Sequence, residues 1–299
     1  MKKIILMIAL LSVYHLNAQI DPLKYPTYTN IEDAMKSEKT VYSMSFRDKG
    51  MFNLPADLVK MDSLFFLNIM GNKLEKMDKE IFSLKELEIL NVNANSIKFI
   101  PDEIGKLQKL TTFSMNLNSL TKVNPNLAQL QKLKVVHFDA NNLNVFPEAL
   151  LEIPSLEEIN LSSNQISFIS KDLDQIKNLK FLNLSANQIN DLTDVKFPEK
   201  IKYLELQQNF IMQLPEYLFK SKNLEFLNVS DNNLKEISPK VKGLRAVVSM
   251  NLANNQLKDL PEEFKNLKNL KTLILAGNPI EKSTVEKLKK LMPQTQIYF

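Results

Sequence analysis

An asparagine returns every 23 residues along most of this chain: Asn72, Asn95, Asn118, Asn141, Asn164, Asn187, Asn209, Asn232, Asn255 and Asn278, with one shorter step of 22 between Asn187 and Asn209. A fixed period of this length is the signature of an array of like units, each too small to bury its own apolar side. Around each Asn lies the frame L-x-x-L-x-L-x-x-N-x-L, as in LFFLNIMGNKL from Leu64, LEILNVNANSI from Leu87 and LKFLNLSANQI from Leu179. One further copy, VYSMSFRDKGM from Val41, keeps the apolar frame and has Lys49 at the Asn position.

Within the frame, the second and third apolar positions alternate with other residues, the period of a strand with one buried face. The second half of several copies, such as IPDEIGKL (100–107), LPEYLFKS (214–221) and LPEEFKNL (260–267), has helix-like spacing, with Pro where a missing N–H does least harm. Each unit is therefore a short strand with a short helical or irregular return, and the units must stack. Where the strand ends and the chain turns inward, backbone groups are buried without a ladder partner. An Asn amide offers two donors and an acceptor, which suits it to bond its own coil and the next one. The ten Asn residues are accordingly assigned a structural role rather than a ligand or catalytic one.

These residues resemble the leucine-rich repeat family, in its 23-residue class with L-P-x-x-I-x-x-L after the Asn and of the exported bacterial type. The resemblance covers almost the whole chain, in ten matches in register. It implies an α/β solenoid of horseshoe shape, with a parallel β-sheet on the concave face and short helical or irregular returns on the convex face. About eleven repeats fill 41–280, preceded by a capping segment at 19–40 and followed by a cap at 281–299.

At the ends, TNIE (29–32) fits a capping box with Thr29 as N-cap and a helix over Ile31–Glu38. STVE (283–286) repeats the device for a helix over Lys282–Met292, stopped by Pro293 and followed by an extended TQIYF. The first 18 residues, with Lys2 and Lys3, an apolar run from Ile4 to Val13 and a small residue at Ala18, read as a secretory signal peptide. The expected product is exported, to the periplasm or the medium. No other stretch has the roughly 20 apolar residues that a membrane helix needs.

The inventory of reactive groups is poor. The chain has no cysteine, and His137 is the only histidine outside the leader, so zinc sites of the His/Cys type and Cys-His dyads are excluded. Removing Lys2 and Lys3 takes the formal charge from +4 to +2, which argues against nucleic acid as a partner. Charges in the column Lys134, Glu157, Lys180, Lys202 and Glu225 read as cross-strand pairs on a solvated flank. Asp191, Asp194 and Glu199, in the segment that is one residue short, match no calcium loop and read as a solvated turn. No catalytic residue, metal or cofactor is expected.

The open face of the sheet remains. The position before the second apolar residue runs Ser43, Phe66, Ile89, Thr112, Val135, Glu158, Phe181, Tyr203, Phe226, Ser249, Thr272, where a merely solvated face would be polar. Two apolar clusters result, one of Tyr42, Phe65, Phe66, Met70 and Ile89, the other of Phe181, Tyr203 and Phe226. Asn68, Asn91, Asn160, Asn183 and Asn228 border them, and His137 is read as a strand position exposed on the open face. Aromatic anchors edged by hydrogen-bonding groups suit recognition of a protein or peptide by a monomeric, non-catalytic module. Stacking on sugar rings, as in a carbohydrate-binding or adhesion protein of the bacterial envelope, is the alternative. Cross-strand stabilisation of the sheet is a third account of the same aromatics.

Overall fold

In each repeat only the centre of the frame alternates cleanly, so each contributes a strand of three residues. The computed structural model, which describes residues 25–299, joins these strands into one parallel sheet of 13 in sequence order. Strands β2 (Ser43–Ser45) to β12 (Thr272–Ile274) come from the repeats, while β1 (Thr27–Tyr28) and β13 (Gln296–Tyr298) lie outside them. The sheet is thus longer than the eleven strands expected, because both flanking segments pair with its open edges and cover N–H and C=O groups that would otherwise invite another chain.

The register is uniform. Between β3 (Phe66–Asn68) and β4 (Ile89–Asn91), Phe66 faces Ile89, Leu67 faces Leu90 and Asn68 faces Asn91. It survives the short step: Phe181 of β8 (Phe181–Asn183) still faces Tyr203 of β9 (Tyr203–Glu205). The missing residue comes out of the return, which has no 3₁₀ helix there and turns instead through Val195 N–H to Leu192 O (2.9 Å) and Ile201 N–H to Pro198 O (3.1 Å). The other returns within the array each contain a 3₁₀ helix of three to five residues, among them Asp102–Lys106, Glu216–Lys220, Pro239–Gly243 and Glu262–Asn266. Apolar residues three apart, as Ile104 and Leu107, lie on one side of such a helix and are both fully buried.

Every Leu-type position of the frame enters one continuous core, and Met44, Met115 and Met250 fill it in place of Leu. Phe113 and Phe138 meet there edge to face at 5.3 Å. The Asn column runs along its edge. Asn187 donates to Leu184 O and Ser185 O in its own coil (both 3.1 Å) and to Leu161 O in the coil before (3.0 Å), and it accepts from Ile166 N–H (2.9 Å). The bridge therefore runs to the preceding coil, not to the next one.

The turn that delivers each Asn requires a left-handed residue just before it. Ala94, Leu117, Ala140, Ser163 and Ala186 have φ between 52° and 54°, and Gly71 and Gly277 take 71° and 75°. A side chain in that conformation costs about 1–2 kcal/mol, offset here by the hydrogen bonds the Asn then makes. Asp48, Gly71, Asp231, Asn254 and Gly277 are residue types that tolerate it, and are the only trace of the turn in the sequence.

Both caps differ in detail from the sequence reading. The first helix is Ile31–Lys36 and its N-cap is Asn30, not Thr29: the Asn30 carboxamide accepts from Asp33 N–H at 2.8 Å, and Ser37 is already extended. The last helix, Lys282–Leu291, begins after Glu281 with no side-chain cap. Ser283 therefore lies inside its first turn, where its hydroxyl bonds Glu281 at 3.2 Å. The expected leader at 1–18 lies outside the described residues, as does the beginning of the segment at 19–40. No described helix is long and apolar enough to cross a membrane.

Candidate functional site

The strand alternation that buries Leu67, Leu90 and their equivalents turns the residues on either side toward the open face. Three columns make that face. The position before the buried residue includes Phe66, Ile89, Glu158, Phe181, Tyr203 and Phe226; the one after it includes Asn68, Asn91, His137, Asn160, Asn183 and Glu205; and the third includes Met70, Asn93, Asn116, Asp139 and Gln207. Across these columns, from Ser43 to Ala276, the charged residues are Arg47, Asp139, Glu158 and Glu205, and no lysine occurs. In a chain with 38 Lys and Arg this is a carboxylate-bearing face from which ammonium groups are kept out.

The apolar residues of the first expected cluster do not form one group. Phe66 and Ile89 face each other on the sheet, half-buried, with Met70 in the turn beyond. Tyr42 and Phe65 belong to the flanking column, where their rings lie 6.0 Å apart and each packs edge-on against Tyr25, at 5.4 and 5.2 Å. One residue of offset along the strand start is enough to put Phe65 on the flank and Phe66 on the face. In the second cluster, Phe181 and Tyr203 are 6.5 Å apart with tilted rings, and Phe226 stands in register beside Tyr203. The Tyr203 hydroxyl donates to Glu225 on the flank at 3.4 Å, and burial raises its pKa above the ordinary phenol value.

His137 is not a surface group. Only 4% of it is exposed, and its Nε2 lies 2.7 Å from Glu158 Oε1 of the next strand. The Glu158 side chain is itself only 12% exposed, so the pair is buried together. Beside this pair Asp139 accepts from Asn160 Nδ2 at 3.2 Å, and burial raises its carboxyl pKa, against the lowering effect of His137. Glu205, on the second apolar cluster, has 9% of its surface exposed and accepts one bond from Gln207 Nε2 at 3.0 Å. Its pKa is likewise raised by burial, which the Gln207 bond opposes. The Oε1 of Gln207 is buried and has no hydrogen-bond partner among the described residues. Nothing in the sequence alone indicates that these carboxylates are desolvated, since the residues beside them in the face columns, Asn116 and Ser162 for Asp139 and Asn183 and Asn228 for Glu205, are polar.

The bordering asparagines are partly committed. Asn68, Asn91, Asn160, Asn183 and Asn228 each accept from the backbone N–H two residues on, at 2.9–3.2 Å, so their carbonyl oxygens serve the turn and the amide NH2 faces the open side, where that of Asn160 donates to Asp139. On the flank, Lys180 pairs with Glu157 at 2.5 Å and Lys202 with Glu225 at 2.7 Å, as cross-strand pairs. Asp191 accepts from the Thr193 N–H and hydroxyl at 2.8 and 2.6 Å, while Asp194 is held by Lys171 at 2.6 Å.

Large apolar residues are also exposed elsewhere, on the side where the chain leaves the Asn column. Phe99 and Phe168, at 66% and 59%, and Val145, at 50%, stand in one column with Lys122, joined pairwise by isolated bridges. The sequence reading passed over them because they fall between the two halves of the motif.

An open sheet of stacked strand-and-return units, held by a column of interior amides and free along one face, defines a repeat solenoid. The chain belongs to the leucine-rich repeat family: models described as a leucine-rich repeat region, a leucine-rich repeat and two copies of leucine-rich repeats match residues 79–201, 223–244 and 247–290. This repeat family typically provides non-enzymatic interaction scaffolds. Among solved structures, a leucine-rich repeat protein of Leptospira interrogans is 34% identical with a TM-score of 0.80, over 87% of this chain and 66% of its own. The functional domain of InlJ from Listeria monocytogenes has the same fold, at 22% identity and TM-score 0.72, over 87% of this chain and 53% of its own. The chain thus spans between half and two thirds of these two relatives. No curated protein sequence is significantly similar to it.

Proposed function

We propose that this is a non-catalytic interaction protein that binds a protein or peptide partner through its concave face. The observation that carries the reading is the makeup of that face: half-buried Phe66, Ile89, Phe181, Tyr203 and Phe226 alternate with amide donors and desolvated carboxylates. Apolar anchors surrounded by polar groups are the composition of a protein-binding surface, whose ordinary area is about 800 Å² per partner. Two structural neighbours support it. The leucine-rich repeats of FLRT2, 21% identical here, were solved in an octameric complex with Latrophilin 3 and Unc5D, and the 25% identical plant receptor RGFR1 with the peptide hormone RGF2. The leader-like residues 1–18 support work outside the cytoplasm, which N-terminal sequencing of the protein recovered from periplasm or medium checks: an intact Met1 there, or recovery only from cytoplasm, contradicts it.

The deciding experiment compares partner capture from envelope extract by the unaltered protein, by Phe66→Ser/Ile89→Ser and by Phe181→Ser/Tyr203→Ser/Phe226→Ser, each checked for folding by circular dichroism. A protein partner lost from both variants is the expected outcome. Capture unaffected by either refutes the concave site. Loss confined to the second variant, together with binding on a glycan array, replaces the reading by carbohydrate recognition.

A further inference from the structure

The convex side carries a second feature, far from the residues discussed above. The 3₁₀ turns Glu216–Lys220, Pro239–Gly243 and Glu262–Asn266 enclose a groove of about 1010 Å³. Lys220, Lys240, Lys242, Arg245 and Lys268 line it, against the single carboxylate of Glu216. That carboxylate is already taken: Lys240 pairs with it and holds its pKa below the usual range. Lys220, Lys242, Arg245 and Lys268 form no ion pair among the described residues, so four positive charges face one recess uncompensated. A neighbouring groove continues toward Lys177, Lys200 and Lys222, sharing Lys220 and Arg245 with the first, and there Asp174 and Glu199 balance part of the charge. The charge is local: among the described 3₁₀ turns only Pro239–Gly243 has two lysines and no carboxylate, whereas Ala56–Lys60, Lys79–Ser83 and Asp102–Lys106 each carry one lysine beside at least one carboxylate. Keeping like charges together without counterions costs free energy, so a concentration of this kind in a chain of formal charge +4 calls for an anionic occupant.

We propose that this convex groove binds an anionic polysaccharide, a chain of carboxylated or sulfated sugars. Three observations select that class. The site is a recess continued along successive coils, which suits a linear chain and not a flat membrane surface. Its cations are mostly lysines, mobile point charges that meet anions at irregular spacing, where bidentate recognition of fixed phosphates favours arginine. Single-stranded nucleic acid is held on several aromatic platforms, and the groove offers one exposed ring, Tyr217, with the Lys220 ammonium already over it at 4.6 Å. The exposed Asn266 side chain adds a donor and an acceptor for hydroxyl groups.

Calorimetric titration of the full chain with heparin and with polygalacturonate at about 50 mM salt tests this, with uncharged dextran and oligothymidylate as comparisons. At least one of the two anionic polysaccharides should bind, with affinity falling as salt is raised, and dextran should not. Lys242→Glu/Arg245→Glu/Lys268→Glu, with its melting temperature measured alongside, should weaken binding by about tenfold or more. The milder Lys242→Gln/Arg245→Gln/Lys268→Gln should weaken it in the same direction. Lys98→Glu/Lys106→Glu/Lys132→Glu, an equal charge change on other coils, should leave it within about twofold. Absence of binding to both polysaccharides, equal loss in the two reversed triples, or tighter binding of oligothymidylate at the same residues overturns the proposal.

Discussion

The side-chain oxygen of Asn187 lies 2.9 Å from the backbone nitrogen of Ile166, 21 residues earlier, and so ties one coil of the solenoid to the coil before it. The same bond recurs from Asn164 to Leu143 N–H at 3.0 Å and from Asn232 to Ile211 N–H at 2.9 Å. Replacing Asn187 by Leu leaves the Ile166 N–H buried without its partner and takes one of two donors from each of the Leu161 and Leu184 carbonyls, which keep Asn164 and Asn209. The expected loss is about 1–3 kcal/mol, the cost of one unsatisfied buried group. Urea unfolding of Asn187→Leu beside Asn278→Leu measures it, and the terminal, less buried Asn278 should cost less. Equal, small losses would contradict a load carried by the column.

Gly243 tests how closely successive returns approach. A Cβ added there would lie 2.0 Å from the carbonyl oxygen of Phe219, a backbone atom that cannot swing aside, whereas at Gly105 the nearest atom is the side-chain oxygen of Gln129 at 2.3 Å. Gly243→Ala should therefore destabilise by about 1–3 kcal/mol, as overpacking does. Gly105→Ala should be within about 1 kcal/mol of neutral, since Gln129 can turn away. Paired thermal unfolding curves distinguish the two.

Leu117 offers the opposite case. Its φ is +53° and its side chain is 58% exposed, so it bears the strain of the left-handed turn and returns little burial. Leu117→Gly should stabilise the protein by up to about 1 kcal/mol, the relief of roughly 1–2 kcal/mol less the entropy cost of glycine. A lowered melting temperature would mean that the Leu117 side chain makes contacts worth more than the strain.

Glu205 predicts a pH effect of definite sign. Burial raises its folded pKa above that of the unfolded chain, so its protonated form is favoured by folding. Its contribution is fully present below the ordinary carboxylate range and is lost as pH rises from there through the raised value. Glu205→Gln, which cannot ionise, should thus be more stable than the unaltered protein at pH 7.5 and little different at pH 4. Melting temperatures across that range give the test. A larger gain at pH 4 than at pH 7.5 would contradict the assignment.

How much of this was readable beforehand follows from distance along the chain. What is confined to one repeat is written in its motif: the strand, the return and the place of the interior Asn; the pair of Lys180 and Glu157, one repeat apart, is legible because the fixed period sets them side by side. The left-handed residue before each Asn was nearly legible, through Gly71, Gly277 and Asn254, but Leu117 and Ala94 hid it. The start of the first helix differs by one residue because Thr29 and Asn30 are both good cap types and only backbone geometry chooses between them, and the last helix starts after Glu281 with no side-chain cap although Ser283 is the better cap type.

The sequence by itself determined the solenoid, since a period of 23 with one buried column per strand leaves stacking as the way to remove those leucines from water. Tertiary structure decided the environments that depend on several coils at once. Stacking split Phe65 from Phe66, sealed His137 against Glu158 and desolvated Glu205 between neighbouring strands. It also gathered Lys220, Lys242, Arg245 and Lys268 into one groove, although a formal charge of +4 spread over 299 residues suggested no basic footprint. Burial and local charge density arise from the neighbours that curvature and register bring together, and no single repeat contains them.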